Sequence, residues 1–194
     1  MKFSNKENEK IELADGRVIW ISRSVAVMAV IVAHDIENNK KYALVCKRGK
    51  DTPDYQGYYC CPCGYLDWDE SAEQGAIREV WEETNIDVEN IVQYNFIDTE
   101  SCLVEVEIEK NYFKQPFWVN SSIFANRQNV TLCFGVLFNV KNFDSLPVPS
   151  PKNVNTDSFE EVEEVLWMDV SQIEGAENFA FNHNARIMQF LKEF

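Results

Sequence analysis

Continuous apolar runs separated by polar turns dominate the first and last thirds of the chain. Val25–Ala33 is apolar almost without interruption, which predicts a strand buried on both faces. Tyr42–Lys47 predicts the next strand, across the polar turn His34–Lys41. Hydrophobic patterning predicts further strands at Asn90–Ile97, Val130–Val140 and Glu160–Met168. The pattern therefore describes a sheet-rich globule.

Two further patterns lie at the ends of the chain. Ile11–Leu13 and Val18–Ile21 flank an Asp-Gly turn and predict a hairpin in an N-terminal extension over residues 1–22. The sequence leaves open whether this hairpin extends the sheet or serves a homodimer contact. Asn182–Phe194 carries apolar residues at helical spacing and predicts a closing helix, with Ala185, Ile187, Met188, Leu191 and Phe194 on its apolar face. No break in the pattern marks a second domain, so we expect one domain over residues 1–194.

A helix with signals at both ends is predicted after Ser71. Ser71 and Gln74 fit a capping box, and Asn85 stands where a left-handed closing residue belongs. At 100° per residue, Ile77, Val80 and Thr84 form an apolar stripe with Trp81 at its margin. The same projection places the acidic side chains opposite this stripe, together with Ala72, Gly75 and Ala76. We expect the apolar stripe to lie on the sheet.

Residues 98–128 form a long connection for a compact domain. The segment is rich in aromatic residues and is interrupted by Pro116 and by Asn120-Ser121-Ser122. Long loops in compact domains are usually functional or disordered, and the aromatic content argues against disorder. A loop that shapes the substrate site and plain packing of its rings on the sheet are equally compatible with the sequence.

Composition and charge restrict the function. The 194 residues are 45% hydrophobic, and the formal net charge of −14 argues against nucleic acid as the main partner. The polar N-terminus does not resemble a secretory signal, and the longest apolar run is too short to span a bilayer, so we expect a cytoplasmic protein without a membrane partner. Its six cysteines are then free thiols by default. Clustering of Cys60, Cys61 and Cys63 raises the question of zinc, which the tight spacing and the scarcity of histidine disfavour.

Three carboxylates gather on the predicted helix. Glu79 and Glu83 stand four apart, an unfavourable like-charge pair, and Glu82 and Glu83 lie near the negative end of the helix dipole. Arg78 precedes Glu82 by four and can hold that carboxylate. A solvated acidic face would explain such a cluster, but several broken local rules on one face favour a functional site. Clustered carboxylates suit hard divalent cations that also accept substrate phosphate.

The segment Gly64–Ile86 resembles the Nudix box, the signature of the Nudix hydrolase family. The family pattern is glycine, five residues, glutamate, seven residues, and then R-E-U-x-E-E-x-G-U, with U aliphatic. Every fixed position matches at its required spacing except Asn85, which replaces a glycine; the matching residues are Gly64, Glu70, Arg78, Glu79, Val80, Glu82, Glu83 and Ile86.

This resemblance implies an α/β fold, the α/β/α sandwich with a mixed sheet. It implies a hydrolase that uses Mg²⁺ or Mn²⁺ to cleave a nucleoside diphosphate linked to another moiety. Carried over by position, Glu79, Glu82 and Glu83 would be metal ligands and catalytic residues together with Arg78. Gly64 and Glu70 would support the loop. Two other functions remain open: a nucleotide-sensing module that does not hydrolyse its ligand, and a diphosphate isomerase.

Three candidate site residues lie outside the box. Arg48 closes a strand and is a candidate for substrate phosphate, and Arg127 is a second candidate for phosphate or ribose. Some family members carry a further catalytic glutamate in the acidic approach to Trp167. Among Glu160, Glu161, Glu163 and Glu164, the distance from Trp167 favours Glu161 as a catalytic residue. A solvent-facing loop charge is the alternative for Arg48.

Overall fold

A computed structural model describes residues 9–21, 24–89, 115–121, 123–124, 127–151 and 160–193. The strands are β1 Glu9–Glu12, β2 Val18–Ile21, β3 Ser24–Asp35, β4 Lys40–Arg48, β5 Tyr59–Cys60, β6 Cys63–Tyr65, β7 Trp118–Asn120, β8 Ile123–Phe124, β9 Arg127–Val140 and β10 Val162–Asp169. The helices are α1 Ala72–Thr84, α2 Val170–Ile173 and α3 His183–Glu193, and short 3₁₀ turns occupy Phe143–Ser145 and Ala180–Asn182.

A mixed sheet forms the centre of the molecule. Its main strand order is β10-β4-β3-β9-β7, and the short strands β5, β6 and β8 pair with β4, β3 and β9. β3 and β9 run parallel over their whole shared length, from the Ser24–Asn129 pair to the Asp35–Val140 pair. The other described pairs are antiparallel strand pairs. The predicted α/β fold with a mixed sheet is confirmed.

The central strand β3 is buried on both faces, as its continuous apolar run predicts. Successive side chains of a strand point to opposite faces. Val27, Ala29 and Ile31 accordingly pack in the core layer that contains Val80 of α1. Their neighbours Met28, Val30 and Val32 pack in a second core layer with Ile187 and Phe190 of α3. The alternation along one strand therefore produces the helix–sheet–helix sandwich.

Both ends of α1 are capped as predicted. The Ser71 hydroxyl accepts from the Gln74 amide and the Gln74 side chain accepts from the Ser71 amide, which completes the capping box. At the other end Asn85 has φ 56° and ψ 23°, the left-handed conformation, and its amide donates to the Trp81 carbonyl.

The buried face of α1 is wider than predicted. Val80 and Thr84 of the predicted stripe are buried and Ile77 packs against the core, whereas Trp81 at its margin is exposed. Glu79 and Glu83 are buried as well, so the prediction that the acidic side lies opposite the sheet is wrong for these two residues. Polar partners in the fold hold the two carboxylates.

Several predicted boundaries shift. His34, Asp35, Lys40 and Lys41 belong to strands, so the turn shortens to residues 36–39. Part of the predicted 98–128 loop is strand, because β7 and β8 fall within it and β9 begins at Arg127 rather than at Val130. Both short strands pair with β9, which fixes this part of the segment to the sheet. The predicted strand Asn90–Ile97 and residues 98–114 lie outside the described residues.

The structure also describes the hairpin near the N-terminus and the closing helix α3. β1 and β2 form the predicted hairpin as a separate two-stranded sheet, with Glu12 paired to Val18. α3 buries Ile187 and Phe190, while Ala185, which was predicted on its apolar face, is exposed. Gly135 of β9 provides the space for Phe190, because a Cβ there would lie 2.3 Å from the phenyl ring. Across the described parts of the chain, no helix combines the length and the apolar character needed to cross a membrane.

Candidate active site

Gly64 of β6 and Glu79 of α1 lie in direct contact, where the helix crosses the sheet. A Cβ built on Gly64 would lie 2.1 Å from Glu79 Oε1 and 2.7 Å from Oε2. Gly64 lacks the left-handed φ that by itself favours glycine. Glycine is therefore needed here for close approach: the missing side chain makes room for the Glu79 carboxylate against the strand.

Arg78 connects the loop before α1 to the carboxylates of the helix. Its Nε and Nη2 donate to the two oxygens of Glu70, at 3.0 and 2.7 Å, in a bidentate pair. Its Nη1 donates to Glu79 Oε1 at 2.8 Å and to Glu82 Oε2 at 2.9 Å. Nη2 also donates to the Tyr65 carbonyl at 3.1 Å, so one guanidinium ties β6, the loop and α1 together.

Glu70 closes the loop between β6 and α1. Besides the Arg78 pair, its Oε1 accepts from the Asp67 amide at 2.9 Å. The hydrogen bond with Arg78 holds the pKa of Glu70 below its ordinary value, so this carboxylate stays ionised at neutral pH. Gly75 leaves the space for it, since a Cβ there would lie 2.8 Å from Glu70 Oε1. These contacts give Glu70 a supporting position rather than one facing the substrate.

Glu83 lies deeper than the other acidic residues and is surrounded by thiols. It is 6% exposed, and its Oε2 accepts from the Cys63 amide at 3.3 Å. The Cys46 thiol of β4 is also hydrogen-bonded to this carboxylate. Cys46 pairs with Cys60 across β4 and β5, and Cys60 is hydrogen-bonded to Cys63. The sequence analysis did not assign these thiols to the site; the position of Cys63 directly before Gly64 was the available signal.

Burial perturbs the two carboxylates of α1 that face the sheet. Burial raises the pKa of Glu79 to about 7, although Arg78 acts in the opposite direction. Burial also raises the pKa of Glu83 well above its ordinary value, and the nearby charges of Glu79 and Glu161 add to this shift. Two acids with raised pKa values in one buried cluster are typical of a site that receives a cation or a proton.

Glu161 is the glutamate of the acidic approach that acts on this cluster. It precedes β10, is exposed, and its charge raises the pKa of both Glu79 and Glu83. Glu160 pairs instead with Lys50 at 3.1 Å, and Glu163 pairs with Lys47 at 2.7 Å. The Glu161 backbone is held by the Gly49 amide, which donates to its carbonyl at 2.7 Å.

The donor set of the site fits a hard divalent cation. Glu79, Glu82 and Glu83 offer only carboxylate oxygens; Glu79 and Glu83 are buried, and of these two only Glu79 is paired with Arg78. Arg78 Nη1 now bridges one oxygen of Glu79 and one of Glu82, so a cation already occupies that position. Within the described ranges no three acidic, histidine or cysteine side chains converge as a ready metal cage. Arg78 contacts only one oxygen of Glu79 and one of Glu82, so a metal could be held by the second oxygen of each together with Glu83.

Arg48, the first of the two arginines predicted outside the box, is hydrogen-bonded to Asp54 rather than to this cluster. Arg48 Nη2 donates to Asp54 Oδ1 at 2.9 Å and its Nε donates to the Asp54 carbonyl at 3.0 Å. Its guanidinium also lies over the Phe181 ring, 5.0 Å from the centroid. Arg127 lies in β9 opposite Phe124, and its side chain is outside the described part of the structure.

The five cysteines within the described residues are free thiols; Cys102 lies outside these residues.

The chain belongs to the NUDIX domain family. The family model, described as NUDIX domain, matches residues 23–191 and so includes the sheet, α1 and α3. The hairpin of β1 and β2 precedes the matched residues. The family predicted from the box residues is confirmed.

Known proteins resemble part of this chain in sequence, or most of it in fold. A curated relative, an NAD-capped RNA hydrolase of Schizosaccharomyces pombe, is 34% identical over 68 residues, which are 35% of this chain and 16% of the relative. The NUDIX domain of Shewanella oneidensis NrtR in complex with ADP ribose has a TM-score of 0.58 at 19% identity and covers 89% of both chains. A bifunctional NMN adenylyltransferase/ADP ribose pyrophosphatase of Francisella tularensis, complexed with AMP and a Mn ion, has a TM-score of 0.60 at 20% identity over 89% of this chain and 42% of its own.

Proposed function

We propose that this protein is a Nudix hydrolase that uses Mg²⁺ or Mn²⁺ to cleave the diphosphate linkage of a nucleoside diphosphate derivative. The observation that carries this proposal is the buried carboxylate cluster: Glu79 and Glu83 face the sheet with raised pKa values, within the field of Glu161. Keeping such acids buried is unfavourable unless a cation or a proton compensates them. A hydrolase that binds a divalent cation at this cluster would compensate the buried carboxylates in this way.

The residues of the site have different proposed roles. Glu79, Glu82 and Glu83 would hold the metal, which when bound polarises the phosphorus and lowers the pKa of its water. Arg78 and Glu70 orient the carboxylates through the bidentate pair and the shared Nη1 contacts. Glu161 approaches from β10 rather than from α1, and we assign it to proton acceptance from the attacking water.

One observation favours an adenine-containing substrate of nucleoside diphosphate type. Two structural neighbours are complexes with ADP ribose and with AMP, and the curated relative is an NAD-capped RNA hydrolase. The net charge of −14 disfavours a long RNA as the substrate, since a polyanion would be repelled. We therefore propose ADP-ribose-like and NAD-like small molecules as the first substrates to test.

The second candidate function is nucleotide sensing without hydrolysis. The NrtR neighbour binds ADP ribose through a NUDIX domain, and other structures of that protein include a complex with DNA. A sensor does not require a complete set of box carboxylates, and this chain retains all of them. That retention favours hydrolysis over sensing.

A substrate panel tests the proposal. The protein is incubated with Mg²⁺ or Mn²⁺ and ADP-ribose, NAD or other nucleoside diphosphate derivatives, and the products are separated by chromatography. We expect two phosphate-bearing products, and no turnover by Glu82→Gln or Glu83→Gln, with Glu163→Gln as an exposed acidic control. Tight binding without products would favour the sensor, and an isomerised diphosphate would favour the isomerase. Full activity of both glutamine variants would refute the metal-ligand assignment.

A further inference from the structure

Three aromatic side chains form an exposed cluster beside Arg48. Tyr55, Tyr58 and Phe181 are 40%, 40% and 42% exposed, and we call them the aromatic cluster. The ring centroids of Tyr55 and Tyr58 are 5.6 Å apart, and those of Tyr55 and Phe181 are 4.9 Å apart, both in edge-on geometry. The Arg48 guanidinium lies against Phe181. A single exposed ring is ordinary on a protein surface, but three adjoining rings beside a cation indicate a binding surface.

Two of these rings belong to residues with a strained backbone conformation. Tyr55 has φ 51° and Phe181 has φ 57°, and Asn182 follows at φ 58°. Bulky side chains rarely adopt this left-handed region, because their Cβ atoms crowd the backbone. Neither ring is buried in the core, so core packing does not explain the strain. Such outliers concentrate at functional sites.

The loop that carries Tyr55 is preformed by its own hydrogen bonds. Gln56 Nε2 donates to the carbonyls of Lys50 and Thr52, at 2.7 and 2.9 Å. Thr52, which is buried, donates its hydroxyl to the Gly49 carbonyl at 2.8 Å. The Gly57 amide closes the loop on the Arg48 carbonyl at 2.8 Å. Binding at the aromatic cluster therefore needs little additional ordering of this loop.

The same loop is joined to the carboxylate cluster on two sides. At its start, Gly49 is packed so closely on Glu160 that a Cβ there would lie 2.2 Å from the Glu160 carbonyl oxygen, and its amide holds the Glu161 carbonyl. At its end, Tyr58 leads into β5, where Cys60 faces the Glu83 partner Cys46. The loop and β5 thus connect the aromatic cluster to the backbone of Glu161 and to the thiols beside Glu83.

We propose that the aromatic cluster binds the nucleobase of the substrate by stacking while the diphosphate lies toward the box carboxylates. This inference rests on the proposed function and names its base-binding residues. A nucleobase is the occupant favoured by the chemistry, because it stacks on aromatic faces and is covalently linked to the diphosphate that the box carboxylates and their metal would receive. Arg48, paired with Asp54, packs on Phe181 and fixes the position of that ring.

Binding of two non-hydrolysable probes tests this subsite. α,β-Methylene-ADP carries a base and methylenediphosphonate does not, and both are titrated by calorimetry with Mg²⁺ present. We expect Tyr58→Leu and Phe181→Leu each to weaken α,β-methylene-ADP binding about 5- to 150-fold, the range measured for loss of one base–aromatic stack. Both variants should bind methylenediphosphonate as the wild type does. Tyr58→Phe keeps the ring and should retain binding of both probes.

Phe143→Leu provides the matched control. Phe143 is 45% exposed and packs on Tyr42 in the 3₁₀ turn after β9, so its replacement should change neither affinity. Stacking tolerates any base, so the wild-type protein should bind α,β-methylene-ADP more tightly than methylenediphosphonate. Equal binding of the two probes, or binding of neither, overturns the subsite. So do Leu variants that remain folded and keep wild-type affinity for α,β-methylene-ADP. Base-dependent binding without hydrolysis in the substrate panel leaves the subsite standing and refutes the hydrolase instead.

Discussion

Gly64→Ala is the most direct test of how the box is built. The added methyl group would lie 2.1 Å from Glu79 Oε1 and 2.5 Å from Cδ, far inside van der Waals contact. Glu79 cannot simply rotate away without losing its 2.8 Å bond from Arg78. Overpacking of a filled site costs roughly 1–3 kcal/mol. Replacing a strand glycine by alanine returns about 0.5–1 kcal/mol, so we expect a net destabilisation of about 0–2.5 kcal/mol.

A double-mutant cycle with Glu79→Ala isolates this contact. Truncating Glu79 removes the atoms that the new methyl group would meet, so in that background Gly64→Ala should be neutral or stabilising by about 0.5–1 kcal/mol. Urea denaturation of the four proteins gives the free energies of unfolding. Equal destabilisation by Gly64→Ala in both backgrounds would show that Gly64 is needed for another reason, and the close-approach argument would fail.

Three further predictions concern the rest of the site and its supports. Glu161→Gln should lower kcat by a factor of about 10²–10⁴ and leave the half-saturating Mg²⁺ concentration unchanged. Glu163, which is paired with Lys47, is the control, and Glu163→Gln should keep full activity. The reverse result would move the general base to Glu163. Asn85→Gly should leave the protein equally stable or slightly more stable in thermal melts. Asn85→Val should lower the free energy of unfolding by about 1–3 kcal/mol, because φ is 56° at this residue. Equal melting temperatures of the two variants would contradict the left-handed cap. Burial lowers the pKa of His183 to about 3, so its contribution to stability is complete above its ordinary pKa near 6.5 and is lost as the pH falls toward 3. The free energy of unfolding should fall by about 1.4 kcal/mol per pH unit in that window from this residue, and His183→Asn should flatten the slope; an unchanged slope would refute the assignment.

The local signals in the sequence were sufficient for the box helix and for the fold class. The capping box at Ser71 and the left-handed close at Asn85 were predicted because both depend on neighbouring residues alone. The unbroken apolar run of β3 predicted a strand buried on both faces, and the mixed sheet follows the family that the box indicates. The same spacing placed Arg78 within reach of Glu82.

Only the tertiary structure decided how far the buried face of α1 extends. Periodicity correctly placed Val80 against the core, but Glu79 and Glu83 on the predicted acidic side are buried as well. The missing Cβ of Gly64 makes room for the Glu79 carboxylate, and no projection of a single helix contains this contact. The partners of Arg48 were likewise beyond sequence reasoning, because they depend on how β4, the loop after it and the turn after α2 meet in space. The sequence alone determined which chemistry the side chains can perform, whereas the packing of α1 on β6 determined which of their charges are buried.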